Sequence, residues 1–186
     1  MLLEGIEKEW TYYTSEIENK NLVSIYIGGG TPSLLHPEEI FRLLEPFSKN
    51  TIEITIEANP DSIDYNKLRS LRSVGINRIS IGVQTFSPNV LLPIQREHSS
   101  EQATRSIHLA KEAGFDNISI DLMYDLPKQT LVDWESSLQH ASTLPITHLS
   151  LYNLVIEEHT VFHKHKEKIR KQQASEEDSK KMYQMA

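Results

Sequence analysis

Two stretches of this 186-residue chain, GINRISIGV at residues 75–83 and GFDNISIDL at residues 114–122, share one pattern. Each begins with a glycine of the kind that ends a helix, turns, and continues with isoleucine at alternate positions. Alternation with a period of two predicts a β-strand, and a glycine just after an apolar helical stretch predicts a helix C-terminus. The recurrence predicts a repeated strand–helix unit, as in a barrel.

The rest of the chain extends this pattern on both sides. We predict five strands, at residues 23–27, 52–56, 78–83, 117–122 and 147–152. Apolar residues at helical spacing predict helices at residues 2–19, 37–47, 64–74, 100–113 and 129–144. Strands that alternate with helices imply right-handed crossovers and a parallel sheet. Since a complete barrel needs about 250 residues, we predict an α/β fold, a partial (β/α) TIM-like barrel that is incomplete at both ends.

The two ends of the chain differ in character from its middle. The helix at residues 2–19 has no strand before it, so the barrel is expected to begin inside a unit. We assign residues 1–162 to the partial barrel and residues 163–186 to a charged tail that starts a truncated C-terminal region. A helix start is predicted at Ser175, but we expect the tail to be solvated, because the sequence ends before that helix could pack.

Composition excludes several classes of protein. The net charge is −7, which disfavours binding to nucleic acid or to anionic membranes. No apolar run reaches the length of about 20 residues that a membrane span needs. No signal peptide is recognisable, so the cytoplasm is the expected compartment. The chain has no cysteine, which excludes disulfides, thiolate nucleophiles and cysteine-bound zinc or iron–sulfur centres within it.

Polar residues collect where the predicted strands end, and ligands of parallel α/β folds bind at that edge. The candidate residues are Gly28, Gly29, Gly30, Thr31, Glu57, Gln84 and Asp121, with Arg96 in a following loop. Glycines let the backbone approach a ligand, carboxylates accept from hydroxyls or an ammonium group, and arginine pairs with a carboxylate. The set suits a zwitterionic ligand that bears a sugar. It contains no nucleophile–base pair, so we predict no catalytic residue. We also predict no metal ligand, because the histidines lie in the charged tail or lack ligand spacing. The alternative is that no ligand site exists here, that the glycines only close tight turns and that the polar strand ends only face solvent.

Five sequence blocks resemble one known family. They are YIGGGTPSLL, IEANPDS, GINRISIGVQTF, AGFDNISIDLMYDLPKQT and LSLYNLVIEEHTVF. Together they resemble the radical S-adenosylmethionine (radical SAM) proteins of the oxygen-independent coproporphyrinogen III oxidase family, over about residues 20–162. The block IEEHTVF at residues 156–162 is more similar to the heme-chaperone branch of that family than to the oxidases.

The resemblance implies a radical SAM barrel that holds S-adenosylmethionine against a [4Fe–4S] cluster. Gly29, Gly30 and Thr31 match the cofactor turn, and Glu57 matches the carboxylate after the next strand. Gln84, Arg96 and Asp121 match further polar contacts, and Val155 matches a backbone-contact position. For the heme-chaperone branch the resemblance implies binding of heme or a porphyrin and its delivery to a recipient protein.

The chain departs from the family in two places. The CxxxCxxC cluster motif is absent, so the chain is expected to be inactive by itself. Asp125 replaces a glycine of the family, with a small local effect expected if the position needs a positive φ.

Two other functions remain open. One is a heme-binding and transfer module without catalysis, for which His98, His159, His163 and His165 are weak candidate axial ligands. The other is a cofactor-independent barrel enzyme, which ranks last because no strand ends in lysine.

Overall fold

The computed structural model describes residues 2–17, 22–47 and 52–186, and its centre is one parallel sheet. The strands are β1 (Ser24–Ile27), β2 (Glu53–Ala58), β3 (Arg78–Gln84), β4 (Asn117–Tyr124) and β5 (His148–Asn153). They lie in the order β1-β2-β3-β4-β5, and each pairs in parallel with the next. This is the half-barrel that the sequence predicted.

Helices precede, connect and follow the strands. They are α1 (Leu2–Ile17), α2 (Pro37–Leu44), α3 (Tyr65–Ser73), α4 (Pro88–Leu91), α5 (Ser100–Glu112), α6 (Leu131–Ser142), α7 (Val161–Lys164), α8 (Lys166–Arg170) and α9 (Glu176–Met185). The cap predicted for α5 is present, since Ser99 accepts a hydrogen bond from the amide of Gln102 at 3.2 Å. Gly75 and Gly114 follow α3 and α5 with φ of +104° and +94°, as expected for helix C-termini. Residues 18 and 19 of the first predicted helix lie outside the described residues.

The two faces of the sheet differ in polarity, because side chains alternate along each strand. Ile79 and Ile81 are fully buried and belong to the core, together with Leu68 of α3 and Trp134 of α6. The residue between the two isoleucines, Ser80, is on the opposite face. The apolar face therefore packs against the helices, and the polar face is left to line the concave side of the half-barrel.

The expectation of a solvated tail is wrong. Residues 161–185 form three helices, and the side chain of Met182 in α9 is 0% exposed. The buried indole Nε1 of Trp134 donates to the carbonyl oxygen of Met182 at 2.8 Å. Ile169 of α8 is also buried. These buried apolar residues, few among many charges, pack the tail against the barrel. The helix start at Ser175 is confirmed, since its hydroxyl caps α9. The domain division at residue 162 stays a prediction.

Asp125 adopts φ of +62°, the left-handed conformation that the sequence analysis considered for this position. Asparagine and aspartate tolerate this conformation better than most residues. The tail contacts Asp125 directly, since Gln173 Nε2 donates to its carbonyl oxygen at 3.1 Å and to its Oδ2 at 3.4 Å. Burial raises the pKa of the Asp125 carboxyl.

No helix within residues 2–17, 22–47 and 52–186 has the length and apolar character needed to cross a membrane.

Candidate functional site

The carboxyl ends of all five strands surround one cavity of about 620 Å³. Its walls come from the turn after β1, the ends of β2 to β5 and the loop that follows β3. A cavity at this edge is expected for a parallel α/β sheet, since the loops that follow the strands converge there. Its volume is within the range of small-molecule sites.

Two different constraints favour glycine in the turn after β1. Gly29 and Gly30 have φ of +86° and +63°, which side chains rarely allow. A Cβ atom on Gly28 would lie 2.9 Å from the Tyr26 ring and 3.1 Å from Glu57 Oε1. The turn therefore brings bare backbone against the Glu57 carboxylate and the cavity.

The Glu57 carboxylate is held by two donors. The hydroxyl of Tyr26 donates to Oε1 at 2.8 Å, and the amide of Gly29 donates to Oε2 at 3.2 Å. Burial and the nearby Glu57 charge raise the pKa of Tyr26 to about 12, so the phenol stays a donor at neutral pH. These two hydrogen bonds fix the carboxylate at the carboxyl end of β2.

Asp121 supplies a second carboxylate to the same cavity. Ser80 Oγ donates to Asp121 Oδ1 at 3.2 Å. Burial raises the pKa of Asp121, and the charge of Glu57 acts in the same direction, against hydrogen bonds from Ser80 and Ser150. Two carboxylates that face one partly buried cavity favour a cationic or hydroxyl-rich ligand.

A chain of polar contacts supports the opposite wall of the cavity. Arg96 Nη1 donates to Asn59 Oδ1 at 3.2 Å, and Asn59 Nδ2 donates to Thr31 Oγ1 at 3.3 Å. Burial lowers the pKa of Arg96, and no ion pair of Arg96 is found within the described residues. Its guanidinium retains donors that a carboxylate of a ligand can use.

Gln84 reaches the cavity through an irregular strand end. The pairing of β3 with β4 shifts between Gly82 and Gln84, and Gln84 has φ of +67°. A Cβ atom on Gly82 would lie 2.9 Å from Gln84 Nε2, so glycine is needed for this side chain to fold back. The bulge therefore turns a buried amide toward the ligand space.

The structure brings the residues expected from the sequence together. Those that line the cavity are Gly30, Thr31, Glu57, Gln84, Arg96, Asp121 and Val155. Gly28 and Gly29 lie beside it, against Glu57. The part that each plays toward a ligand stays a prediction.

Several residues at the site were not predicted as site residues. Among the polar ones are Tyr26, Asn59, Ser80 and Tyr152, of which the last three line the cavity. Strand alternation could have found Tyr26 and Ser80, because each lies two residues before a glycine of the site. His98, considered from its position beside Arg96, is buried with Nε2 3.1 Å from the carbonyl oxygen of Val83. Burial lowers the pKa of His98.

A family model described as the Radical SAM superfamily matches residues 7–141. The chain belongs to the radical SAM superfamily. Membership ties it to S-adenosylmethionine and, in general, to a [4Fe–4S] cluster.

Several relatives of this radical SAM chain are named heme chaperones. It is 37% identical to the heme chaperone HemW of Bacillus subtilis (strain 168), an alignment that covers 98% of the chain and 50% of that protein. It is 41% identical to HemW of Buchnera aphidicola subsp. Acyrthosiphon pisum (strain APS), with 87% of the chain and 44% of that protein covered. The radical SAM chain thus spans about half the length of these curated relatives.

Solved structures agree with this placement. The coproporphyrinogen III oxidase HemN from Escherichia coli, described as a radical SAM enzyme, superposes with a TM-score of 0.76 at 28% identity, over 98% of this chain and 44% of that one. The archaeal Elp3 of Methanocaldococcus infernus gives a TM-score of 0.76 at 18% identity, over 94% of this chain and 47% of that one. The second likeness shows the fold alone.

The two groups that the radical SAM family implies fit this chain differently. S-adenosylmethionine is a sulfonium amino acid with a ribose, and the cavity offers two carboxylates, an arginine and a bare glycine turn. An iron–sulfur cluster does not fit, because the chain has no cysteine. Within the described residues there is also no group of three metal-ligating side chains of the His, Cys, Asp or Glu type.

Proposed function

We propose that this chain is the S-adenosylmethionine-binding half of a radical SAM protein of heme or porphyrin metabolism. A heme chaperone is the favoured function of the whole protein, with a coproporphyrinogen III oxidase-like enzyme as the alternative. The observation that supports this most is the convergence of Glu57, Asp121, Arg96 and the glycine turn on one cavity of about 620 Å³.

Each polar group of the cavity suits one part of S-adenosylmethionine. The guanidinium of Arg96 suits the methionyl carboxylate, and the bare backbone of Gly29 and Gly30 suits the ammonium group. Glu57 and Asp121 are acceptors for the ribose hydroxyls and neutralise a nearby sulfonium charge. The residues of this chain therefore bind and orient the cofactor.

Cleavage of the cofactor is not assigned to this chain. S-adenosylmethionine supplies an adenosyl group and a sulfonium when bound, and its reductive cleavage needs an electron donor. The chain has no thiolate that could hold an iron–sulfur cluster as that donor. We expect the chain to be inactive by itself.

The heme part of the proposal rests on the relatives. Proteins named heme chaperones match 78% to 98% of this chain at 36% to 41% identity. The structural neighbour at 28% identity is named for coproporphyrinogen III oxidation. Heme or a porphyrin is therefore the proposed second ligand of the whole protein, and a heme-recipient protein is its proposed partner.

Isothermal titration of this chain with S-adenosylmethionine tests the proposal. We expect binding of one equivalent, and weaker binding of S-adenosylhomocysteine, which lacks the sulfonium charge. Asp121→Asn is expected to weaken binding about tenfold, as for loss of a charged hydrogen-bond partner.

Asp116→Asn is the matched control, since Asp116 lies outside the cavity in an exposed ion pair with Lys111. Equal affinities of the two variants for S-adenosylmethionine, or no binding at millimolar concentration, would contradict the proposal.

A further inference from the structure

Gln84 lies in a strained turn at the end of β3. Its φ is +67°, and the amide of Thr85 donates to the carbonyl oxygen of Val83 at 2.9 Å. A hydrogen bond that spans one residue of positive φ forms a γ-turn of the rare, strained kind. A glutamine side chain disfavours this conformation, so neighbouring groups must hold the backbone in it.

The γ-turn directs the Gln84 side chain into the cavity at the strand ends. Gln84 is 7% exposed and lines that cavity. Its amide group forms no hydrogen bond with another residue in the part of the chain that the structure describes. The amide is thus a nearly buried donor and acceptor that is left for a ligand or water to satisfy.

Helix α6 holds one side of the γ-turn. Thr85 is fully buried, and its Oγ1 lies 3.3 Å from Ser137 Oγ. The amide of Phe86 donates to the same Ser137 Oγ at 3.3 Å. These contacts fix the residues that follow Gln84, and they do not involve Val83, which precedes it.

His98 holds the other side of the γ-turn. Its Nε2 lies 3.1 Å from the carbonyl oxygen of Val83, the same oxygen that closes the turn. Because a carbonyl oxygen only accepts, Nε2 carries the ring proton and donates it. His98 is buried and does not line the cavity, so any effect that it has on a ligand there passes through the turn.

The charge state of His98 suits this position. Burial lowers the pKa of His98, and the positive charge of Arg96 acts in the same direction. The hydrogen bond to Val83 and the charge of Asp61 oppose this shift. The imidazole is therefore neutral at neutral pH and adds no second cation beside the guanidinium of Arg96.

We propose that His98 is a positioning residue for ligand binding, since its bond to the Val83 carbonyl oxygen holds the turn in which Gln84 faces the cavity. The proposal rests on the proposed function for the identity of the ligand, S-adenosylmethionine. Without the His98 donor, the Val83 carbonyl group loses one of its two hydrogen bonds. The strained φ of Gln84 then relaxes, and its amide turns away from the ligand.

Isothermal titration of the full chain with S-adenosylmethionine tests the proposal in variants of His98. His98→Leu removes the donor and leaves an apolar side chain, and we expect about a fivefold loss of affinity, as for one lost hydrogen bond. His98→Gln keeps an N–H donor at a similar distance from the backbone. We expect its affinity to stay within about twofold of that of the unaltered chain.

Trp134→Phe is the matched control. It also removes one buried ring N–H that donates to a backbone carbonyl oxygen, that of Met182, and Trp134 does not line the cavity. Both His98→Leu and Trp134→Phe are expected to lower the free energy of unfolding in urea, but only His98→Leu is expected to weaken binding. In a Gln84→Gly background, where glycine suits the positive φ, His98→Leu should cause no further loss of affinity.

Nuclear magnetic resonance of the ligand-free chain gives a reading that does not depend on S-adenosylmethionine. The ¹⁵N chemical shifts of the His98 ring are expected to show the tautomer with the proton on Nε2, a measurement that needs no variant. The side-chain amide resonances of Gln84 are expected to move in His98→Leu and to stay in Trp134→Phe.

The proposal is wrong if His98 carries its ring proton on Nδ1 or if His98→Leu binds S-adenosylmethionine as tightly as the unaltered chain. It is also wrong if His98→Gln or Trp134→Phe loses as much affinity as His98→Leu, since the role of His98 would then be structural only. Absence of S-adenosylmethionine binding in the unaltered chain would instead count against the proposed function. The tautomer and the Gln84 resonances of the ligand-free chain would then decide the role of His98.

Discussion

Replacement of Tyr26 by phenylalanine tests how the Glu57 carboxylate is held. The phenol donates to Glu57 Oε1 at 2.8 Å and contributes no other hydrogen bond within the described residues. Removal of the hydroxyl leaves the amide of Gly29 as the remaining donor to that carboxylate. We expect a reoriented carboxylate and weaker binding of S-adenosylmethionine.

The size of the Tyr26 effect follows from the hydrogen bond and its exposure. A hydrogen bond to a charged group contributes about 1.5–3 kcal/mol. Tyr26 is 58% exposed, so water replaces part of the lost interaction. We therefore expect a loss of about 1 kcal/mol, which is about fivefold in the dissociation constant.

Isothermal titration at neutral pH measures this loss. Tyr152→Phe is the matched control, because Tyr152 lines the same cavity, is 52% exposed and forms no side-chain hydrogen bond within the described residues. In a Glu57→Gln background, Tyr26→Phe should cause a smaller loss of affinity for S-adenosylmethionine, since the effects of substitutions at contacting residues are not additive. Equal losses for Tyr26→Phe and Tyr152→Phe would refute the positioning of Glu57 by Tyr26.

Three further changes test other parts of the account. Met182→Ala should lower the free energy of unfolding in urea by at least about 2 kcal/mol, whereas Met185→Ala, at a 38% exposed position of the same helix, should have little effect. Because burial raises the pKa of Asp121, at a pH between the ordinary carboxyl value and that raised pKa the folded form holds a proton that the unfolded form has lost. The free energy of unfolding should therefore fall as pH rises above the ordinary carboxyl value through that raised pKa, and Asp121→Asn should remove this decline in unfolding measured from pH 4 to 7. Gly28→Ala places a Cβ atom 3.1 Å from Glu57 Oε1 and should weaken S-adenosylmethionine binding in the same titration, while Gly5→Ala, with nothing within 4 Å, should leave it unchanged.

The sheet was predictable because local patterns decide it. Alternating isoleucines around Ser80 and Ser119 mark the strands, and Gly75 and Gly114 mark the helix ends. The approximate position of the candidate site then follows from topology alone, since parallel strands end at one edge. Neither the prediction of the sheet nor that of the site's position depends on contacts between distant residues.

The features that were missed depend on contacts between distant residues. Met182 is buried in the segment whose carbonyl oxygen accepts from the indole N–H of Trp134, a residue 48 positions earlier. The role of Tyr26 requires Glu57 of the neighbouring strand. His98 is buried under the end of β3, where it contacts a backbone carbonyl that no local pattern identifies.

The most direct test of the strand-end site is a titration of ¹⁵N-labelled chain with S-adenosylmethionine, followed by amide chemical shifts. We expect the amides of Gly29, Gly30 and Gln84 to shift together and to saturate at one equivalent. The amides of Gly5 and Gly114, which lie outside the cavity lining, should not move. Saturable shifts that appear elsewhere and spare the glycine turn would contradict the account.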